Sequence, residues 1–168
     1  VIMNHLEKIQ NKILNKDNLA EWVAECRAKG SKIVFSNGCF DILHRGHVEY
    51  LAKAADFGDE MLIGLNTDAS VKRLKGSSRP INDEYARAIV LSGLEFVSAV
   101  VLFDEDTPYN LIKAVQPDVL VKGSDYKPED IVGYDIVTAK GGRVETIDFV
   151  DGFNNENHRE IEERVKAE

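Results

Sequence analysis

Short, nearly unbroken apolar runs recur along the chain at Ile33-Val34-Phe35, Met61–Leu65, Ala99–Phe103 and Val119-Leu120-Val121, with a more mixed run at Arg143–Ile147. Their length and β-branched content predict five strands, buried on both faces. Helical periodicity fills the intervals. Asp17 is placed to cap a helix whose buried face is Leu19, Trp22, Val23 and Cys26, and Gly30 stops it. Val48–Ala55 reads as a helix ending near Gly58, and Thr67–Leu74 as a shorter one. A helix over Asp83–Phe96 is expected to turn Tyr85, Ala88, Ile89 and Leu91 toward the core. Thr107-Pro108 opens another with a cap residue and a proline at the first helical position. Gly133–Lys140 and the charged stretch from about Glu156 complete the set. Ahead of all these, Leu6, Ile9, Ile13 and Leu14 fall on one side of a possible helix reaching Lys16.

Strands alternating with amphipathic helices predict an α/β fold: a single Rossmann-like domain, a parallel five-stranded sheet with helices on both faces, and an N-terminal helical extension. The expected boundaries are 1–30 for the extension, 31–152 for the domain and 153–168 for a charged, helical tail. Ligands of such sheets lie beyond the carboxyl ends of the strands. Four post-strand segments therefore meet on one edge: Ser36–His47, Asn66-Thr67-Asp68, Asp104–Asp106 and Lys122–Asp125.

Composition narrows the classes of function. The 168 residues suit one domain, and a formal net charge of -8 argues against a nucleic-acid or anionic membrane partner. No apolar run approaches the roughly 20 residues of a membrane span, and the first ten residues do not read as a signal peptide. Val1-Ile2 ahead of Met3 reads as a foreign remnant. The two cysteines, Cys26 and Cys39, are not at metal-ligand spacing; Cys26 reads as a packed thiol, and Cys39 as a packed thiol ahead of nucleophile or metal ligand. A reducing, cytoplasmic compartment is the expectation.

The chemistry concentrates in Ser36-Asn37-Gly38-Cys39-Phe40-Asp41-Ile42-Leu43-His44-Arg45-Gly46-His47. Two histidines bracket a glycine where a strand end meets a helix start, and helix starts receive phosphates through unpaired N–H groups and the helix dipole. Neither a Gly-x-Gly-x-x-Gly nor a P-loop pattern is present. A metal site would need a third protein ligand, which Asp41 alone could offer, so no protein metal site is expected. Lys72, Arg73, Lys75 and Arg79 form a basic cluster in an acidic chain. Of these Lys75, beside Gly76, is the first choice for a mobile phosphate clamp and Lys72 the second, whereas Arg73 reads as part of a solvated helix face. Lys122 ends an apolar run and would be awkward inside a sheet with no anion to meet. Asp104 and Asp106 could reach a phosphate-bound metal, although a charge role at the following helix start is the better reading.

Taken together, Gly38-x-Phe40-Asp41-x-x-His44-x-Gly46-His47 resembles the signature of the cytidylyltransferase-like nucleotidyltransferases. With Gly64–Asp68, Ser70–Gly76, Arg79-Pro80-Ile81 and Val119–Tyr126, the chain from about Asn18 to Gly152 is similar to the heptose-1-phosphate adenylyltransferase domain, in its stand-alone form. The resemblance implies attack of a heptose 1-phosphate oxygen on the α-phosphorus of ATP, giving ADP-heptose and pyrophosphate for lipopolysaccharide core synthesis. It implies His44, His47 and Lys75 as catalytic residues. Asn37, Gly38, Cys39, Phe40, Gly46, Lys72, Arg79, Lys122 and Gly123 would bind nucleotide and phosphates. Asp41, Asn66, Asp68 and Asp125 would face the sugar phosphate. Mg²⁺ is expected to arrive with ATP, held by phosphate oxygens and water, and self-association, as a dimer, is expected by analogy. Two alternatives stay open: CTP with a polyol phosphate or a phosphonate, and a nucleotide-binding protein without turnover.

One segment departs from the pattern. Relatives carry a motif like Gly-Tyr-Ser-Thr-Thr at the start of the final helix, whose hydroxyls and N–H groups hold the triphosphate. Here the stretch is Gly152-Phe153-Asn154-Asn155-Glu156, and Glu156 would bring a like charge to phosphates.

Overall fold

In the computed structural model the described residues are 2–150 and 155–167, with side chains described from Arg159 onward in the second stretch. Six parallel strands form one sheet: β1 Ile13–Leu14, β2 Ile33–Gly38, β3 Glu60–Asn66, β4 Ala99–Phe103, β5 Val119–Gly123 and β6 Arg143–Ile147, in the order β1-β4-β3-β2-β5-β6. The helices are α1 His5–Gln10, α2 Lys16–Ala28, α3 Arg45–Ala55, α4 Asp68–Lys75, α5 Glu84–Ser92, α6 Tyr109–Val115, α7 Tyr134–Ala139 and α8 Asn155–Ala167.

The sheet has six strands rather than five because the expected first helix stops early. α1 ends at Gln10, and Ile13 and Leu14 pair with Val100 and Val101 of β4. Their side chains suit either state, and the open edge of β4 decides it. The segment read as a separate extension thus supplies a strand, and its Leu14, Leu19 and Cys26 join the apolar cluster of Ile33, Phe35, Leu62 and Val101. A second cluster on the other face contains Val34, Tyr50, Leu51, Ile63, Leu65 and Val121.

Several local expectations shift by a residue or more. Asn15, not Asp17, caps α2, its side chain accepting from the N–H groups of Asp17 and Asn18. Pro108 occupies the cap position of α6, and Thr107 makes no cap hydrogen bond there. α5 closes at Ser92 rather than Phe96, and Tyr85 lies on its solvent side, 56% exposed, while Ala88 and Leu91 are buried. α8 starts at Asn155, one residue before the expected position.

The sheet order fixes where a ligand belongs. After β2 the chain builds outward through β3 and β4, then returns to lay β5 on the other side of β2, with Val34 opposite Val119 and Phe35 opposite Leu120. The loops leaving β2 and β5 therefore diverge and leave a crevice between their carboxyl ends.

Candidate active site

That crevice is an open cleft of about 260 Å³ lined by residues following β2 (Asn37, Gly38, Cys39, Phe40), by His47 and Tyr50 of α3, and by Lys75 at the end of α4. Lys122, Gly123, Tyr126 and Phe149 form the β5 and β6 side.

His44 is the N-cap of α3. Its Nδ1 accepts the Gly46 N–H at 3.1 Å, and His47 Nδ1 accepts the His44 N–H at 3.2 Å, a capping box made of two imidazoles. With both Nδ1 atoms accepting, a neutral ring carries its proton on Nε2. The rings stack at 3.9 Å between centroids, 19° from parallel, and Phe40 meets His47 edge-on at 5.5 Å. Burial holds the His44 pKa below the ordinary imidazole value, so the ring is neutral near pH 7. The cap also takes up the Gly46 N–H, one of the helix-start donors the sequence had offered to phosphate.

Phe40 reaches His47 from a left-handed backbone, φ 44°, which is strained for a bulky residue. Its ring covers Gly38, where an added Cβ would stand 2.9 Å from the ring. Gly123 is similarly covered: a Cβ there would lie 2.5 Å from Phe149. Phe149 stacks on Tyr50 at 6.1 Å, and the Tyr50 hydroxyl bonds Ser36 Oγ at 3.0 Å, with burial pushing its pKa up to about 12. Lys122 donates to the Asn37 carbonyl at 3.2 Å with Tyr126 beside it, and burial lowers its pKa. Burial also raises the Cys39 pKa, so its thiol stays protonated and is a poor nucleophile or metal ligand.

The sequence-predicted residues divide into two groups. Asn37, Gly38, Cys39, Phe40, His47, Lys75, Lys122 and Gly123 share the cleft, with His44 stacked on His47. The other group lies off its walls. Asp41, assigned to the sugar, is 2% exposed, and its carboxylate accepts the Ile81 and Asn82 N–H groups at 2.8 Å each, tying down the loop before α5. Asn66 donates to Ser70 Oγ, and Asp68 pairs with Arg87 at 2.8 Å. Asp125 follows β5, with its Oδ1 2.8 Å from where a Gly123 Cβ would stand. Lys72 is exposed on α4 outside the cleft lining. Arg79 is 8% exposed and pairs with Glu162 of α8, which lies 3.6 Å from Lys75 as well. Arg73 engages Asp104 and Asp106 at the surface. The departing motif at Gly152–Asn154 lies outside the described residues, as do the side chains of Asn155 and Glu156.

Tyr50, Tyr126, Phe149 and Arg87 were not predicted. Tyr50 follows His47 by three residues on one helix, so it shares that face and was accessible from spacing. Among the described residues no group of three or more His, Cys, Asp or Glu could hold a metal ion, so the donor set does not form a protein cage for Mg²⁺. No described helix is long and apolar enough to cross a membrane.

The family model described as cytidylyltransferase-like matches residues 35–148. The chain belongs to the cytidylyltransferase-like family. It is 56% identical over 146 residues to "Bifunctional protein HldE" of Geobacter metallireducens, covering 87% of this chain and 30% of that protein. With the protein of the same name from Wolinella succinogenes it is 54% identical over 149 residues, 89% of this chain and 31% of that one. The chain thus spans under a third of the length of these curated relatives. Among solved structures it resembles a lipopolysaccharide core biosynthesis protein from Thermoplasma volcanium, with TM-score 0.57 and 29% identity over 72% of this chain and 98% of that one. The pantoate-β-alanine ligase of Francisella tularensis shares the cytidylyltransferase-like chain's fold at TM-score 0.55 and 12% identity, covering 92% and 77%.

Proposed function

We propose that this chain is a nucleotidyltransferase domain joining ATP to a sugar 1-phosphate, heptose 1-phosphate first among them, to give an ADP-sugar and pyrophosphate for lipopolysaccharide core precursors. The observation that carries the reading is the stacked His44–His47 pair at the strand-order switch, with His47 lining one cleft together with Lys75 and Lys122. In-line displacement at phosphorus calls for positioning and charge stabilisation more than covalent chemistry. An oxygen of the sugar phosphate bonds to the α-phosphorus while the bond to the β-phosphate oxygen breaks, and pyrophosphate leaves. The Nε2–H groups of His44 and His47 would donate to phosphate oxygens as charge builds. Lys75 closes from its helix end, and Lys122 draws one phosphate toward β5. Phosphate nearby also favours the imidazolium over the neutral ring of the resting site. Mg²⁺ would enter on the triphosphate, neutralising its charge, and the residues of this chain supply the rest. The chemistry is assigned to residues 31–152, in a cytoplasmic protein that self-associates.

Pyrophosphate release over a grid of nucleoside triphosphates and phosphorylated acceptors tests this. ATP with a heptose 1-phosphate is expected to be the fastest pair. A grid whose best pair is CTP with a polyol phosphate would move the substrate assignment. A flat grid, indistinguishable from His44→Ala, would overturn catalysis altogether.

A further inference from the structure

Arg87 lies in the middle of α5, fully buried, yet none of its chemistry faces solvent or the cleft. Its guanidinium donates four hydrogen bonds to four different segments. Nη1 reaches the carbonyls of Cys39 at 2.8 Å and Asn66 at 2.7 Å; Nε reaches the Asn82 carbonyl at 3.0 Å; Nη2 reaches Asp68 Oδ1 at 2.8 Å. These acceptors belong to the loop after β2, the end of β3, the loop before α5 and the first turn of α4. One rigid fork thus joins the histidine loop to the segment bearing Lys75 and Arg79. Asp41 reinforces the junction, since its carboxylate accepts from Ile81 and Asn82 while the Asn82 side chain donates to the Asp41 carbonyl at 2.7 Å.

The Cys39 carbonyl is the most telling acceptor. It directly precedes Phe40, whose strained left-handed backbone sets its ring against the edge of His47. Such a conformation persists only where its surroundings over-determine it. We propose that Arg87 is a positioning residue for phosphoryl transfer: by gripping the Cys39, Asn66 and Asn82 carbonyls it holds Phe40, and through it His47, in register with the Lys75 loop. The proposal rests on the nucleotidyl-transfer reading for its kinetic consequence, but not for its structural one. A lysine cannot replace the residue, because an ammonium is a point charge on a flexible stem and lacks the planar fork.

Arg87→Lys is the test, read in two ways. In nucleotide-free protein, the His44 and His47 ring-proton resonances report their mutual stacking and the Phe40 edge. In the folded variant they are expected to move toward unstacked values. In turnover, kcat is expected to fall by on the order of 10²-fold, as for a reacting group displaced by about 1 Å, with KM for ATP little changed. A folded Arg87→Lys with unchanged histidine resonances and unchanged kcat overturns the proposal, as does a loss confined to KM. Where Arg87→Lys fails to fold, Asp68→Asn withdraws the carboxylate that anchors Nη2, so the fork loosens on its three carbonyls and the same signature is expected at smaller amplitude; its absence again overturns the proposal. If the wild-type protein turns over no substrate pair, the nucleotidyl-transfer reading fails, and the resonance experiment still decides the role of Arg87.

Discussion

His44 has two duties on opposite sides of one ring, and a pair of substitutions separates them. Its Nδ1 caps α3 by accepting the Gly46 N–H at 3.1 Å, and Nε2–H is the donor assigned to phosphate. Alanine removes both. Asparagine keeps a side-chain oxygen at cap distance and is among the preferred cap residues, but has no donor where Nε2 stood. Losing a cap costs about 1 kcal/mol, which for a chain of this size lowers Tm by roughly 2–4 °C. Losing one preorganised donor to a developing oxyanion costs about 3 kcal/mol of transition-state stabilisation, on the order of 10²-fold in kcat. Thermal unfolding should therefore place His44→Ala below wild type and His44→Asn near it, while pyrophosphate release should drop by a similar factor in both. Retained turnover in His44→Asn would refute the donor role and leave His44 a cap; an unshifted Tm in His44→Ala would refute the cap. The pH dependence has a definite sign. Burial lowers the His44 pKa in the folded state, so the unfolded chain takes up its proton first as pH falls below the ordinary imidazole value of 6.5. The ring's share of stability is complete above that pH and is lost as pH falls through the folded value. His44→Asn should flatten that stretch of the stability curve.

Two further outcomes follow from charges around the cleft. Burial lowers the Lys122 pKa, so at neutral pH its ammonium opposes folding, and the opposition eases as pH rises toward the ordinary lysine value of 10.5; Lys122→Met should unfold at a temperature no lower than wild type, yet bind ATP roughly tenfold more weakly by calorimetry, a loss of about 1.4 kcal/mol. Glu162 holds Arg79 and stands 3.6 Å from Lys75, so Glu162→Gln removes a competitor for both cations; ATP should bind severalfold tighter at low salt, with the gain shrinking as salt rises, and weaker binding would show instead that Glu162 orients the clamp.

The parts of this protein that the sequence makes legible are those whose signal is local. β2 to β5 are dense apolar runs in a parallel sheet covered on both sides, and nothing else in a chain of this composition requires them. The histidine loop is equally local, since its function needs a strand end, two imidazoles and a helix start in succession. What escapes is decided by distant partners. Ile13-Leu14 is too short to show any period and becomes a strand only because β4 offers an edge. Asp41 looks like a ligand for sugar hydroxyls until the fold brings the Ile81 and Asn82 N–H groups to it, 40 and 41 residues along the chain. Arg87 interrupts an otherwise apolar helix face, and a pattern search passes over it, because burial of a charge depends on carbonyls 48 and 21 residues away. Phe149 lies beyond the last strand and reaches the cleft only because β6 lies beside β5.

The proposed site for two phosphorylated substrates, in a chain of formal charge -8, looks contradictory only while charge is counted without regard to place. Most of the described arginines are already matched: Arg27 to Asp118, Arg45 to Glu49, Arg73 to Asp104 and Asp106, Arg87 to Asp68, and Arg143 to Glu145. Arg79 and Lys75 share Glu162, an acid 1% exposed. Among the described residues no ion pair includes Lys122, which meets a carbonyl and the face of a tyrosine, and the nearby Asp125 carboxylate favours its charge without offsetting burial. A buried amine in that situation gains most from an arriving anion, because the anion supplies the counter-charge that burial withholds. The long-range field of an acidic protein is screened within about 8–10 Å at physiological salt, whereas a cation lining a cleft acts at contact distance. On the proposed function the cleft between β2 and β5 would therefore favour phosphates over the acidic surface around it, bringing the anion to the place where His44 and His47 would act on it.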